Sequence, residues 1–193
     1  MNDKMLSEFD LVILFSGGAD SMLLLQLALA LDYTPLCVMI DYGQKHIKEL
    51  DYAKNQLTHF GVEYRVVKLE NYTVNSGLTG DNVPGTYDGV NKMNVPGRNT
   101  VFIGIAAGIA ESEGIDEIWF GADFSDRINK FPDCFQEFTY RMNEVLKVSG
   151  SYPMKLRAPL LGLTKEMVVG LLTKIYGISM QNVYSGYEEG GIE

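Results

Sequence analysis

The chain is short of cysteine, of positive charge and of long apolar runs, and each shortage removes a class of function. It has two cysteines, Cys37 and Cys134, with no CxxC pair and no Cys/His cluster. A four-cysteine zinc site within this chain is therefore excluded, and a disulfide framework has no support. Cys37 lies in an apolar run and reads as core packing. Lysine and arginine number 16 against 25 aspartates and glutamates, a formal net charge of −9. Gripping a polynucleotide needs a basic surface to release counterions, so a small-molecule substrate is expected and a direct nucleic-acid partner is not. No apolar run reaches the length of a membrane span, and Met1 to Phe9 is too polar for a secretory signal. The expectation is no membrane association and a cytoplasmic location. There is no internal repeat and no low-complexity linker, and 193 residues suit a single domain over 1–193.

What is present is an alternation of strand and helix patterns. Leu11–Phe15 is a short apolar run, and Ser21–Leu31 carries leucines at helical spacing. Pro35–Ile40 reads as a second buried strand, ending at Asp41-Tyr42-Gly43. Lys45–Phe60 is an amphipathic helix closed by Gly61, and Val62–Leu69 alternates as a third strand. Residues 71–96, rich in Asn, Gly, Thr and Asp, form a long loop of the kind that often serves as a lid. Arg98–Glu113 is helical, with a small-residue face (Gly104, Ala106, Ala107, Gly108, Ala110) suited to close packing. Glu117–Phe120 is a fourth strand, Asp133–Val148 and Thr164–Tyr176 are helices, and the tail 181–193 is expected to be flexible. This order predicts an α/β fold, a parallel sheet with helices on both faces. In such sheets ligands bind outside the carboxyl ends of the strands, where Ser16–Ser21, Asp41–Gln44 and Gly121–Asp126 all fall.

The most informative stretch is Ser16-Gly17-Gly18-Ala19-Asp20-Ser21, between the first strand and the first helix. Glycines allow positive φ and close backbone approach, the helix N-terminus favours an anion, and the Ser16 and Ser21 hydroxyls are candidate donors. No Gly-Lys-Ser/Thr follows, so it is not a Walker A loop. It resembles the SGGxDS loop of the PP-loop ATP pyrophosphatases, which cleave ATP between the α and β phosphates. Three further elements follow: Asp41-Tyr42-Gly43-Gln44-Lys45-His46 with Glu49, Val95-Pro96-Gly97-Arg98-Asn99, and Phe131-Pro132-Asp133-Cys134. Taken alone, the first reads as a strand-ending turn and Asp133 as a helix N-cap. Arg98 can offer a planar fork to a carboxylate or phosphate.

Together and in this order, FSGGADS, DYGQKHIKE, VPGRN and FPDC resemble the 7-cyano-7-deazaguanine (preQ0) synthases, from about residue 10 to about residue 185. The resemblance implies a Rossmann-like PP-loop (adenine nucleotide alpha hydrolase-like) fold. It also implies an ATP-dependent ligase that turns 7-carboxy-7-deazaguanine and ammonia into a nitrile through an amide. Phe15, Ser16, Gly17, Gly18, Ala19, Asp20 and Ser21 would then hold the pyrophosphate, with Mg2+ near Asp20, and Asp41, Tyr42, Gly43, Gln44 and Asn99 would meet the nucleotide. Arg98, Phe131 and Asp133 would face the substrate, and Asp20, Arg98 and Lys165 would carry the chemistry. Lys165 reads equally as a solvated residue at a helix start. The family tends to form homodimers and carries a C-terminal four-cysteine zinc site. Here Val183 stands where its first cysteine aligns, so zinc is expected to be absent. Two other readings stay open: a ligase that stops at the amide or takes another carboxylated base, and a degenerate nucleotide-binding module.

Overall fold

A computed structural model describes residues 7–43, 48–69, 95, 97–129, 131–180 and 183. Strand β1 (Leu11–Leu14) leads into helix α1 (Ala19–Ala30), followed by β2 (Pro35–Asp41), α2 (Lys48–Phe60) and β3 (Tyr64–Lys68). Then come α3 (Arg98–Glu113), β4 (Glu117–Trp119), α4 (Phe124–Ile128), a 3₁₀ turn at Pro132–Cys134, α5 (Gln136–Ser149), β5 (Lys155–Arg157) and α6 (Lys165–Lys174). Among the described residues the strands form one sheet in the order β3-β2-β1-β4-β5, and every pairing is parallel. The chain moves outward from β1 through β2 to β3, then returns to the other side of β1 as β4. That reversal opens a crevice at the carboxyl ends of β1 and β4.

Two cores flank the sheet. Leu11, Ile13, Cys37 and Met39 face a cluster with α1, Ala53 and Leu57 of α2, and Val168 and Leu172 of α6. Val12, Val38, Ile40 and Ile118 face Ile103, Ala106 and Ala110 of α3 and Met142 and Leu146 of α5. Helices cover both faces, as the strand–helix alternation predicts. Helix α1 is buried nearly all round, with Leu23, Leu24 and Leu25 all fully inaccessible. A helix without a polar face belongs in an interior, and α1 is accordingly enclosed by the sheet and by neighbours on its own layer.

The structure departs from the sequence reading in five places. Helix α5 begins at Gln136 rather than Asp133, because Pro132–Cys134 forms a separate 3₁₀ turn. The N-cap of α5 is Phe135, so Asp133 does not cap it. Gly104 and Gly108 face open space while Ala106, Ala107 and Ala110 do the packing. Helix α4 and strand β5 are additional, each too short to show a periodicity. Val183, placed in the flexible tail, is 3% exposed and part of the first core. Gln44 and His46, the start of the second helix, most of 71–96 and the rest of 181–193 lie outside the described residues.

Candidate active site

The turn after β1 is held by its own side chains. Gly17 takes φ +82°, and a Cβ there would sit 2.9 Å from Ala53 Cβ and 3.2 Å from Gln56 Oε1, so glycine lets α2 lie directly against the loop. Gln56 also donates from Nε2 to the Gly17 carbonyl at 3.4 Å. Ser21 is buried, and its hydroxyl accepts from the N–H groups of Ser16 (3.2 Å) and Gly17 (3.1 Å) while lying 3.0 Å from the Gly18 carbonyl, to which it donates. The Ser21 hydroxyl, expected as a donor to a ligand, therefore shapes the loop instead. Ser16 is exposed, and its Oγ accepts from Gly18 N–H at 3.3 Å. Gly18 is the N-cap of α1 without a side-chain cap, so the first-turn N–H groups of Ala19, Asp20 and Ser21 lack intrahelical partners and form the positive end of the helix dipole. The Phe15 ring belongs to the core and leaves only backbone to the site.

Across the crevice, β4 is followed by Gly121-Ala122-Asp123. A Cβ on Gly121 would lie 3.1 Å from Asp20 Cβ, which is how closely the segment after β4 approaches the first turn of α1. Asp123 and Asp126 exchange hydrogen bonds: Asp126 N–H donates to Asp123 Oδ1 at 2.9 Å, and Asp123 N–H donates to Asp126 Oδ2 at 3.2 Å. This is a capping box built from two aspartates, and it starts α4. Lys165, at the start of α6, extends its ammonium to Asp20 Oδ2 at 2.6 Å and Asp123 Oδ2 at 3.3 Å. Oxygens of Asp20, Asp123 and Asp126 all lie within 4.8 Å of one another.

Three carboxylates thus share one ammonium. Burial pushes the Asp20 carboxyl up, with Lys165 pulling the other way. Burial also raises Asp126, helped by Asp123 and Asp20, to about 6. For Lys165, burial acts to lower the pKa, but the Asp20 carboxylate and then Asp123 outweigh it, so the amine is held charged above the usual lysine range. Asp20 Oδ1 is buried and has no hydrogen-bond partner among the described residues. An unsatisfied buried carboxylate oxygen beside two others suits a hard divalent cation such as Mg2+.

The second group of predicted residues gathers on the other face of the same edge. Helix α3 runs down to Gly114 and is followed closely by β4, so its N-terminus, with Arg98 and Asn99, lies at the carboxyl edge of the sheet. Tyr42, just past β2, packs on Phe102 of α3 with ring centroids 5.2 Å apart. Asp41 Oδ1 accepts from Gly43 N–H at 3.3 Å, a self-contained turn. The 3₁₀ turn is tied to α4 through Phe131 N–H, which donates to the Asp126 carbonyl at 3.1 Å. The Phe131 ring packs partly against the second core. Burial pushes the Cys134 thiol up, Asp126 and Asp133 push it further, and Arg98 acts in the opposite sense. Arg98, Asp126, Asp133 and Cys134 therefore share one electrostatic neighbourhood. Asp123 and Asp126 lie in the Gly121–Asp126 segment expected at the ligand edge but were given no role of their own; the D-x-x-D spacing of a capping box is the signal they carry.

Comparison with known proteins completes the picture. The family model for the queuosine biosynthesis protein QueC matches residues 10–193. The chain is 34% identical over 178 residues to the 7-cyano-7-deazaguanine synthase of Alteromonas mediterranea, covering 89% of this chain and 79% of the relative. It is 30% identical over 197 residues to the 7-cyano-7-deazaguanine synthase of Thermoplasma acidophilum, covering 93% and 79%. Among solved structures, the NH3-dependent NAD synthetase of Campylobacter jejuni superposes with a TM-score of 0.55 at 13% identity, over 95% of this chain and 73% of that one. The U34-tRNA thiolase NcsA of Methanococcus maripaludis superposes with a TM-score of 0.54 at 17% identity, over 93% and 61%. At these identities the structural likeness speaks for the fold alone, which is the PP-loop ATP pyrophosphatase fold.

Proposed function

The chain belongs to the QueC family, and from that membership we propose that it is a 7-cyano-7-deazaguanine synthase, an ATP-dependent C–N ligase. The observation that carries the reading is the family match over 10–193. The substrate is 7-carboxy-7-deazaguanine. Its carboxylate resists ammonia because oxide is a poor leaving group. Attack of a carboxylate oxygen on the α phosphorus of ATP releases pyrophosphate and leaves an acyl adenylate. Ammonia then displaces AMP and loses a proton, giving the amide. A second ATP activates the amide oxygen in the same way, releasing pyrophosphate, and loss of AMP and both amide protons leaves the nitrile.

The chain's residues support these steps as follows. Ser16–Ser21 offers glycine backbone and the first-turn N–H groups of α1 to the departing pyrophosphate, a dipole-favoured seat for an anion. Phe15 contributes backbone. Lys165 supplies a positive charge beside that loop, and Arg98 a planar fork for a carboxylate or phosphate. Asp41, Tyr42, Gly43, Gln44 and Asn99 are assigned to the nucleotide. Asp133, with Phe131 beside it, accepts from adjacent N–H donors on the guanine-like edge. Mg2+ entering with ATP would be held by Asp20, with Asp123 and Asp126 in reach, and would neutralise phosphate charge.

Zinc has no place in this reading. Cys37 and Cys134 belong to the cores on opposite faces of the sheet, and burial pushes both thiols up, away from the thiolate that binds metal. The net charge of −9 favours a free base over a polynucleotide as substrate, and no helix among the described residues is long and apolar enough to cross a membrane. We place the protein in the cytoplasm as a homodimer. Incubation with ATP, Mg2+, ammonium and 7-carboxy-7-deazaguanine, followed by mass spectrometry of the base, is expected to yield the nitrile with two ATP consumed per base. Accumulating amide would mean that the second activation is lost. Absence of ATP turnover with any deazaguanine acid would overturn the enzyme reading.

A further inference from the structure

Lys165 is anchored at both ends by one short segment. Its ammonium meets Asp123, at the N-cap position of α4. Its backbone N–H donates to the hydroxyl of Ser125, two residues further along, at 3.0 Å. Between them, Phe124 N–H donates to the Leu163 carbonyl at 2.8 Å, two residues before Lys165. The first turn of α4 therefore grips the start of α6 through three consecutive residues, and is itself locked by the Asp123–Asp126 exchange. The N–H of a first helical residue has no partner within its own helix. Ser125 satisfies it from another element and so sets where the Lys165 Cα stands relative to β4.

We propose that Ser125 is a positioning residue for Lys165, setting the reach of the ammonium toward Asp20 and the phosphate loop. The proposal rests on the reading of Lys165 as the phosphate-facing cation. A purely structural role is the competing account, since Ser125 also helps to start α6. Thr164 supplies the control. Its side chain accepts from Met167 N–H, so it caps the same helix through a different N–H from the one that Ser125 holds.

The test compares Ser125→Ala, Ser125→Thr, Thr164→Ala and Lys165→Met in steady-state ATP turnover with the deazaguanine acid, alongside thermal unfolding. Ser125→Ala is expected to lower kcat about tenfold with little change in KM for the base, and Ser125→Thr, which keeps the hydroxyl, to restore most of it. Thr164→Ala is expected to lower Tm as much as Ser125→Ala does and to leave kcat near wild type. The proposal is overturned if Ser125→Ala turns over like wild type, or if Thr164→Ala loses rate in proportion to the same fall in Tm. If Lys165→Met turns over normally, the underlying reading of Lys165 fails and takes the proposal with it, a result distinguishable from the first two because only it exonerates the lysine.

Discussion

Replacing Gly17 by alanine tests whether α2 is the floor of the loop after β1. Two penalties act at this position. A side chain held near φ +82° is in the left-handed region, which costs an L-residue roughly 1–2 kcal/mol. The new methyl would also sit 2.9 Å from Ala53 Cβ and 3.2 Å from Ala53 Cα. One of those atoms is backbone in the middle of α2, so the contact is relieved only by moving the helix, and overpacking of this kind costs roughly 1–3 kcal/mol. The sum is about 2–5 kcal/mol, a large share of the stability of an ordinary domain. Gly61→Ala separates the two penalties, because Gly61 has φ +65° with nothing within 4 Å of its virtual Cβ. It should cost roughly 1–2 kcal/mol. Urea unfolding followed by Trp119 fluorescence measures both: Trp119 is the single tryptophan and is 4% exposed. Ala53→Gly in the Gly17→Ala background should restore part of the loss, giving a coupling on the order of 1 kcal/mol or more in a double-mutant cycle. If Gly17→Ala costs no more than Gly61→Ala and the cycle shows no coupling, α2 does not bear on the loop and the packing argument is wrong.

Asp126→Asn probes the shared charge. Asp126 is raised to about 6 in the folded protein, against about 3.9 when unfolded, so its stabilising contribution is complete below pH ~4 and is lost as the pH climbs through ~6. The variant keeps an acceptor for Asp123 N–H, and should match wild type near pH 4 and exceed it by on the order of 2–3 kcal/mol at pH 8 in Mg2+-free buffer; a constant difference across that range in urea titrations would refute it. Asn143 fastens α5 to β5, donating to the Leu156 carbonyl and accepting from Leu156 N–H, both at 2.9 Å. Asn143→Ala should cost about 2 kcal/mol, and Asn143→Asp more, because its second oxygen faces that carbonyl; equal stability of all three by urea unfolding would remove this role. Gly104→Ala and Gly108→Ala, each with open space around the added methyl, should each raise stability by about 0.5–1 kcal/mol, and a fall in Tm would mean that this face of α3 is covered.

The sheet and its order of elements were legible because β1 and β2 are short apolar runs each followed by a glycine turn, and α1 between them is leucine-rich, a pattern that suits an interior. Helix α4 and β5 were not. Five residues and three residues are too few for a period to emerge, and β5 turns a single side chain, Leu156, into the core. Its place is set from outside, by Asn143 and by the Arg157–Glu117 ion pair at 2.8 Å. Asp133 shows the opposite failure. A carboxylate ahead of a helical pattern reads as an N-cap, but Pro132 initiates a separate turn that takes up Asp133 and leaves Phe135 to open the helix.

The candidate site divides along the same line. Its loop is local: six consecutive residues contain both the backbone that would face an anion and the hydroxyl that shapes it. That locality makes the stretch visible in a sequence, yet it also hides the division of labour, since Ser16 and Ser21 look alike on paper and only packing shows that Ser21 is buried while Ser16 is exposed. The charge opposite the loop is not local at all. Lys165 and Asp20 are 145 residues apart in the chain, and the structural reason for their meeting is the α4 turn, which lies in neither motif. A lysine at a helix start and an aspartate in a capping box are each ordinary surface features when read singly. What turns them into parts of one site is the return of the chain to the far side of β1, which sets the end of β4 against the first turn of α1 with only the missing Cβ of Gly121 between them.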